Sequence, residues 1–261
     1  MKYLYDSHAH LDDDRFDQDR EDIIKSLKSN GISLVINPGA DMKSSRKAME
    51  LADRYPNIFA GVGIHPQDAS HYQEEDLEIL RKWSEDPKVV AIGEIGLDYY
   101  YGKDNKEEQI KLFREQMKLA SEMSLPVLIH MRDATEDTYN ILKEYEGKVR
   151  GIMHCYSGSV EMAELFMNLG YYISLAGVVT FKNAKAAKDV AKKIPLERLL
   201  IETDSPYLTP EPNRGKRNEP KYVKHVADKI CELRGISLVE LSDATRRNTE
   251  ELFGLQGVEL D

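Results

Sequence analysis

Four of the seven histidines in this sequence fall at the ends of three short apolar runs, and carboxylates end two more. The first run leads into Asp6-Ser7-His8-Ala9-His10, another reads Gly93-Glu94-Ile95-Gly96-Leu97-Asp98, and a third ends Leu128-Ile129-His130-Met131-Arg132. Met153-His154-Cys155 and Ile201-Glu202-Thr203-Asp204-Ser205-Pro206 complete the set. Two histidines one residue apart on an extended chain point to the same side, so His8 and His10 can grip one ion together. Four imidazoles with the carboxylates of Glu94 and Asp204 form a nitrogen and oxygen donor set that suits Zn²⁺ or Mn²⁺ and tolerates other divalent ions. Six donors exceed the need of one catalytic ion, and two ions about 3.5–4 Å apart with a bridging carboxylate are the expectation.

Such convergence requires a scaffold that brings five distant segments to one place. A repeated unit runs along the chain: a β-rich apolar run, a polar loop, then an amphipathic helical stretch. The expected strands are Tyr3–Asp6, Leu34–Asn37, Phe59–Ile64, Val89–Glu94, Val127–His130, Gly151–His154, Tyr171–Leu175 and Leu199–Asp204. Most are nearly continuous apolar runs, as parallel strands covered by helices should be. Helices are expected over Asp22–Ser29, Ser44–Arg54, Asp76–Trp83, Lys106–Met123, Ala134–Tyr145, Val160–Leu169, Ala184–Lys192, Pro220–Leu233 and Leu238–Leu252. Gly31 and Tyr55-Pro56 supply stop signals for the first two. Eight strands alternating with helices point to an α/β fold, a (β/α)8 TIM-like barrel in a single domain over residues 1–255 with a short tail at 256–261. A doubly wound open sheet is the alternative that periodicity leaves open. In a barrel the C-terminal strand ends share one rim, where active sites are built.

Composition narrows the class. The chain has 261 residues, 41% hydrophobic and 31% charged, with a net charge of −10. It is neither collagen-like nor wholly disordered, and no run approaches the roughly 20 apolar residues of a membrane helix. The start shows no export signal, and two cysteines are too few for a disulfide scaffold, so a cytoplasmic location is expected. A chain this acidic does not attract nucleic acid in bulk. A polyanionic substrate must find a local basic patch or bound metal ions. Arg132 on the rim, and Arg214, Lys216 and Arg217 after Asp204, are candidates; the competing reading of the last three is a solvated loop paired with nearby glutamates.

Other features carry less. Cys155 follows His154 and should face the opposite side, as a buried small hydrophobe rather than a nucleophile. Tyr99-Tyr100-Tyr101 is either a base-stacking platform or rim packing. His71 and His225 read as solvated loop and helix surface.

Taken together, His8-Ala9-His10-Leu11, Gly63-Ile64-His65-Pro66, Gly93 to Asp98, Glu202 to Leu208 and Arg214-Gly215-Lys216-Arg217-Asn218 resemble the TatD-type metal-dependent deoxyribonucleases. The resemblance spans nearly the whole chain in that family's order. It implies a TIM-like barrel, a pair of divalent ions (Zn, Mn or Mg), and trimming of single-stranded DNA from its 3′ end. It further implies that His8 and His10 bind one ion, Glu94 bridges, and His130 and His154 bind the second. Asp204 would ligate and orient or deprotonate the attacking water, and His65 and Arg132 would contact the scissile phosphate. DNA is the expected partner, with no membrane and no obligate protein partner. Hydrolysis of another bond, such as an aminoacyl-tRNA ester, an amide or a lactone, is the alternative, because fold and ligands do not choose the bond.

Overall fold

The computed structural model describes residues 3–258; the last three residues of the expected tail lie outside that range. Eight strands appear where apolar runs are expected: β1 (Leu4–Asp6), β2 (Ile32–Pro38), β3 (Ile58–Val62), β4 (Val89–Asp98), β5 (Val127–Arg132), β6 (Gly151–Met153), β7 (Tyr172–Leu175) and β8 (Leu199–Ile201). They pair in sequence order, every neighbour parallel. The helices are α1 (Arg20–Ser26), α2 (Met42–Arg54), α3 (Glu74–Trp83), α4 (Lys106–Met123), α5 (Thr135–Glu144), α6 (Val160–Asn168), α7 (Lys185–Lys193), α8 (Val223–Arg234) and α9 (Leu238–Phe253). This is a (β/α)8 barrel in one domain, and the open-sheet alternative falls away. Among the described residues, no helix is long and apolar enough to cross a membrane.

Two expected helices are shorter than their pattern. The first ends at Ser26 and tightens into a 3-10 turn over Lys28–Asn30 before Gly31 takes a left-handed φ of 82°. Near Pro220 a 3-10 turn, Pro220–Tyr222, precedes α8.

Side chains of the strands alternate between two apolar layers. Tyr5, Leu34, Ile36, Phe59, Leu128, Ile152, Tyr172 and Leu200 cluster with Leu252 and Phe253 from the end of α9 and Leu255 just beyond it. Their neighbours Ile32, Val35, Ile58, Ile129, Ile173 and Ile201 pack outward against the helices. Both layers are buried, which is why the strands read as unbroken apolar runs.

The ring closes beyond the ends of β8 and β1. Ser7 N–H donates to the Ile201 carbonyl at 3.1 Å, Asp204 N–H to that of His8 at 2.9 Å, and His10 N–H to that of Ser205 at 2.8 Å. Beneath them the buried Asp6 carboxylate accepts from the Thr203 N–H at 2.9 Å and hydroxyl at 2.6 Å.

The register shifts within β4. Ile92 pairs with Val127 and Ile95 with Ile129, so three steps on β4 match two on β5. The extra residue is a bulge at Gly93-Glu94, which re-aims the Glu94 side chain at the barrel mouth. Only glycine fits at Gly93, where a Cβ would stand 2.5 Å from Leu128 Cβ. Gly96, at φ +141°, lies opposite His130, and a Cβ there would meet the His130 carbonyl at 2.0 Å. Gly96→Ala is therefore expected to cost about 3 kcal/mol through strain and overpacking. Urea unfolding checks this; an unchanged midpoint would contradict it.

Candidate metal centre

Glu94 leaves the bulge into a ring of imidazoles. One of its oxygens, Oε2, lies 3.3 Å from His8 Nε2 and 3.4 Å from His10 Nε2. The other, Oε1, lies 2.8 Å from His130 Nδ1, 3.1 Å from His154 Nε2 and 3.6 Å from His65 Nε2. Asp204 Oδ1 approaches the first pair, 3.8 Å from His8 Nε2 and 3.6 Å from His10 Nε2. All six expected ligands, with His65, thus converge at the C-terminal mouth of the barrel. They border or underlie a cavity of about 780 Å³.

His8 and His10 both lie beyond the end of β1, in extended chain held by the Ala9–Ser205 bridge. Their Nε2 atoms stand 3.2 Å apart and face the same two carboxylates. Two nitrogens and two carboxylate oxygens aimed at one spot fit a cation. Three triplets could each hold an ion: His8, His10 and Asp204; His65, Glu94 and His130; and His8, His154 and Glu202, the first and third sharing His8. The first two share no residue, and His154 Nε2, 3.1 Å from the same Glu94 oxygen, can stand in for His65 in the second, so the donor set accommodates two divalent ions.

Electrostatics follows from burial against charge. Burial alone would raise the Glu94 carboxyl, but His154, His10 and His130 beside it hold it well below the usual carboxylate range. Burial opposes a proton on His10 and His154. The bonds from Asp204 and Glu94 overcome it at His10, and the charges of Glu94 and Glu202 do so at His154, so both are raised well above an ordinary histidine. His65 goes the other way, pushed down to about 3 by burial and by His130. Its Nδ1 accepts from the Gln67 N–H at 3.2 Å, so the neutral ring carries its proton on Nε2, toward the cavity. In that tautomer His65 donates a hydrogen bond and does not ligate.

Two carboxylates with no role foreseen from sequence sit behind the histidines. Glu202, fully buried, accepts from His154 Nδ1 at 3.1 Å and from the Cys155 N–H at 2.6 Å, which fixes the tautomer that turns Nε2 to Glu94. Asp98 contacts His130 Nε2 at 3.2 Å through Oδ2, while its Oδ1 accepts from the Tyr100 and Tyr101 N–H groups. Both lie inside the motifs quoted above, and the signal available was an acid beside each ligand in an otherwise apolar run.

Two expectations need correction, and one left open is settled in part. Cys155 is not sunk in the core: β6 stops at Met153, the chain turns at Cys155 with φ 45°, and the half-buried thiol borders the cavity. Burial and nearby carboxylates raise that thiol well above its ordinary value, so it stays protonated. The Arg214–Arg217 loop is not a patch lining the cavity. Arg217 pairs with Asp19 at 2.6 Å and donates to the Arg15 carbonyl, and Arg214 lies on the Phe181 ring. Tyr99 is rim packing, buried with its hydroxyl on Asp137, whereas Tyr100 and Tyr101 are exposed. Outside the site, His71 is exposed and His225 contacts Asn213 at 3.2 Å.

A parallel barrel with such clusters at its C-terminal mouth defines a metal-dependent hydrolase. The chain matches the model of the TatD related DNase family over residues 5–254 and belongs to that family. It is 48% identical over 251 residues to "Uncharacterized metal-dependent hydrolase YabD" of Bacillus subtilis, covering 96% of this chain and 98% of that one. It is 34% identical to "3'-5' ssDNA/RNA exonuclease TatD" of Escherichia fergusonii, over 97% of this chain and 99% of that one. The crystal structure of the TatD homolog YJJV from Escherichia coli K12 superposes with a TM-score of 0.91 at 33% identity, covering 96% and 98% of the two chains.

The Glu202 contact generates a test. Glu202→Gln keeps an oxygen for His154 but removes the charge, and divalent-ion affinity is expected to fall about 10–100-fold. Calorimetric titration of the metal-stripped protein with Mn²⁺ reads this; wild-type affinity in the variant would rule the role out.

Proposed function

We propose that this hydrolase is a deoxyribonuclease that removes nucleotides from the 3′ end of single-stranded DNA. The observation that carries the reading is Arg132, which borders the cavity beside the histidine cluster. No carboxylate among the described residues comes within ion-pair distance of it, in a cavity otherwise lined by several acids. A guanidinium that lies against tyrosine rings and pairs with no acid, beside a cation site, suits a phosphodiester. The exonuclease name carried by a relative at 34% identity supports the same bond. A reducing cytoplasm suits the two free cysteines.

His8, His10, Glu94, His130, His154 and Asp204 would hold two divalent ions, Zn²⁺, Mn²⁺ or Mg²⁺, with Glu94 central to both. Ions bound there would supply Lewis acidity and bring the pKa of water toward neutrality. The rest falls to the chain's own groups. Asp204, kept ionised by His10, His154 and His8 against the pull of burial, accepts the proton of the attacking water and orients it. Glu94 fixes the histidine ring so that no ligand must reorganise during the reaction. His65 donates a hydrogen bond through Nε2, and Arg132 sets its charge against the phosphate oxygens as negative charge grows there.

Asp204→Asn should leave thermal unfolding unchanged and lower turnover by about 10²–10⁴-fold. Near-normal rates in that variant would remove Asp204 from the mechanism. End-labelled single-stranded and duplex oligonucleotides, assayed beside a lactone and an aminoacyl ester, test the bond. Shortening of the single strand from its 3′ end, abolished by EDTA and restored by Mn²⁺, is expected. Turnover confined to the carbonyl substrates would replace the nuclease reading.

A further inference from the structure

Tyrosine, with an apolar ring and a polar tip, is suited to meeting a ligand at the wet mouth of a cavity. Here Tyr101 is 64% exposed and Tyr207 47% exposed, and both border the cavity that holds the histidine cluster. They follow β4 and β8 respectively, strands that stand opposite each other in an eight-stranded ring. Each ring has an arginine beside it: Arg132 lies 4.7 Å from the centre of Tyr101 and 4.1 Å from that of Tyr100, which packs edge-on against Tyr101, and Arg15 lies 4.1 Å from the centre of Tyr207.

Neither tyrosine hangs on a loose loop. Asp98, buried and touching His130, accepts from the Tyr101 N–H at 2.9 Å and so ties that turn to the histidine cluster. Across the mouth, the buried Asn218 amide donates to the carbonyls of Thr203 at 2.8 Å and Tyr207 at 2.6 Å. Arg217 donates to the Arg15 carbonyl at 2.7 Å. The Arg-x-x-Arg-Asn stretch thus braces the aromatic rim instead of meeting phosphate. Two fixed aromatic faces on opposite sides of a site that accepts a phosphodiester have the form of a stacking platform.

We infer that Tyr101 and Tyr207 stack the two nucleobases flanking the scissile phosphodiester, so that only unpaired nucleotides enter; this rests on the nuclease reading above. A paired base has its faces occupied by neighbours in the duplex, which is how the clamp would select single strands.

The test uses the full chain with Mn²⁺ and single-stranded oligonucleotides whose terminal or penultimate base is replaced by a tetrahydrofuran unit. On the intact oligonucleotide, Tyr101→Leu and Tyr207→Leu should each lower kcat/KM by about 10–100-fold, and the Phe variants should retain it. On the oligonucleotide that lacks the base a given tyrosine stacks, its Leu variant and the wild type should agree within about twofold. A loss of the same size on every oligonucleotide, or none on any, overturns the clamp while leaving the nuclease intact. If the wild-type protein cleaves no oligonucleotide, the nuclease reading fails, and the clamp with it.

Discussion

One carboxylate, that of Glu94, is surrounded by ring nitrogens of five histidines within 3.6 Å. An ionised group in so dry a place is tolerable only when opposite charge surrounds it. The imidazoles supply that charge when protonated, and divalent ions would supply more. Much of the molecule serves this one contact. The β4 bulge delivers the carboxylate, Gly93 and Gly96 let neighbouring strands close around it, and Glu202 and Asp98 hold His154 and His130 from behind.

The closure of the barrel and the assembly of the site are the same event. The hydrogen bonds that join the end of β8 to the end of β1 run through the backbones of His8, His10 and Asp204 themselves. The residues aimed at the cavity are also the last rungs of the ring, so their positions are set by the backbone hydrogen bonds that close it. Chain just past a strand end, tied by backbone hydrogen bonds, fixes side chains more closely than a free loop does, which suits a centre that must place several donors around ions with little slack.

Periodicity made the scaffold legible: all eight strands and nine helices of the described residues fall on apolar runs and amphipathic stretches. The six converging side chains were legible too, because a polar residue at the end of an apolar run has few other reasons to be there. What escaped was anything that depends on where the chain leaves regular geometry. Strand alternation placed Cys155 opposite His154, but the strand had already ended and a positive φ turned the thiol toward the cavity. The bulge at Gly93-Glu94 inserts one residue that no periodicity announces. Glu202 was hidden for another reason: an acid buried behind a ligand looks, in sequence, like one more polar residue near a strand end. Arg217 was misleading because sequence proximity to Asp204 says nothing of Asp19, its partner from the other end of the chain.

Metal stoichiometry tests the centre most directly. Metal-stripped protein, dialysed against Mn²⁺ and analysed for bound metal, should take up two ions per chain, and Glu94→Gln should retain at most one. A Glu94→Gln variant that still binds two, or a wild-type chain that binds none, would contradict the account.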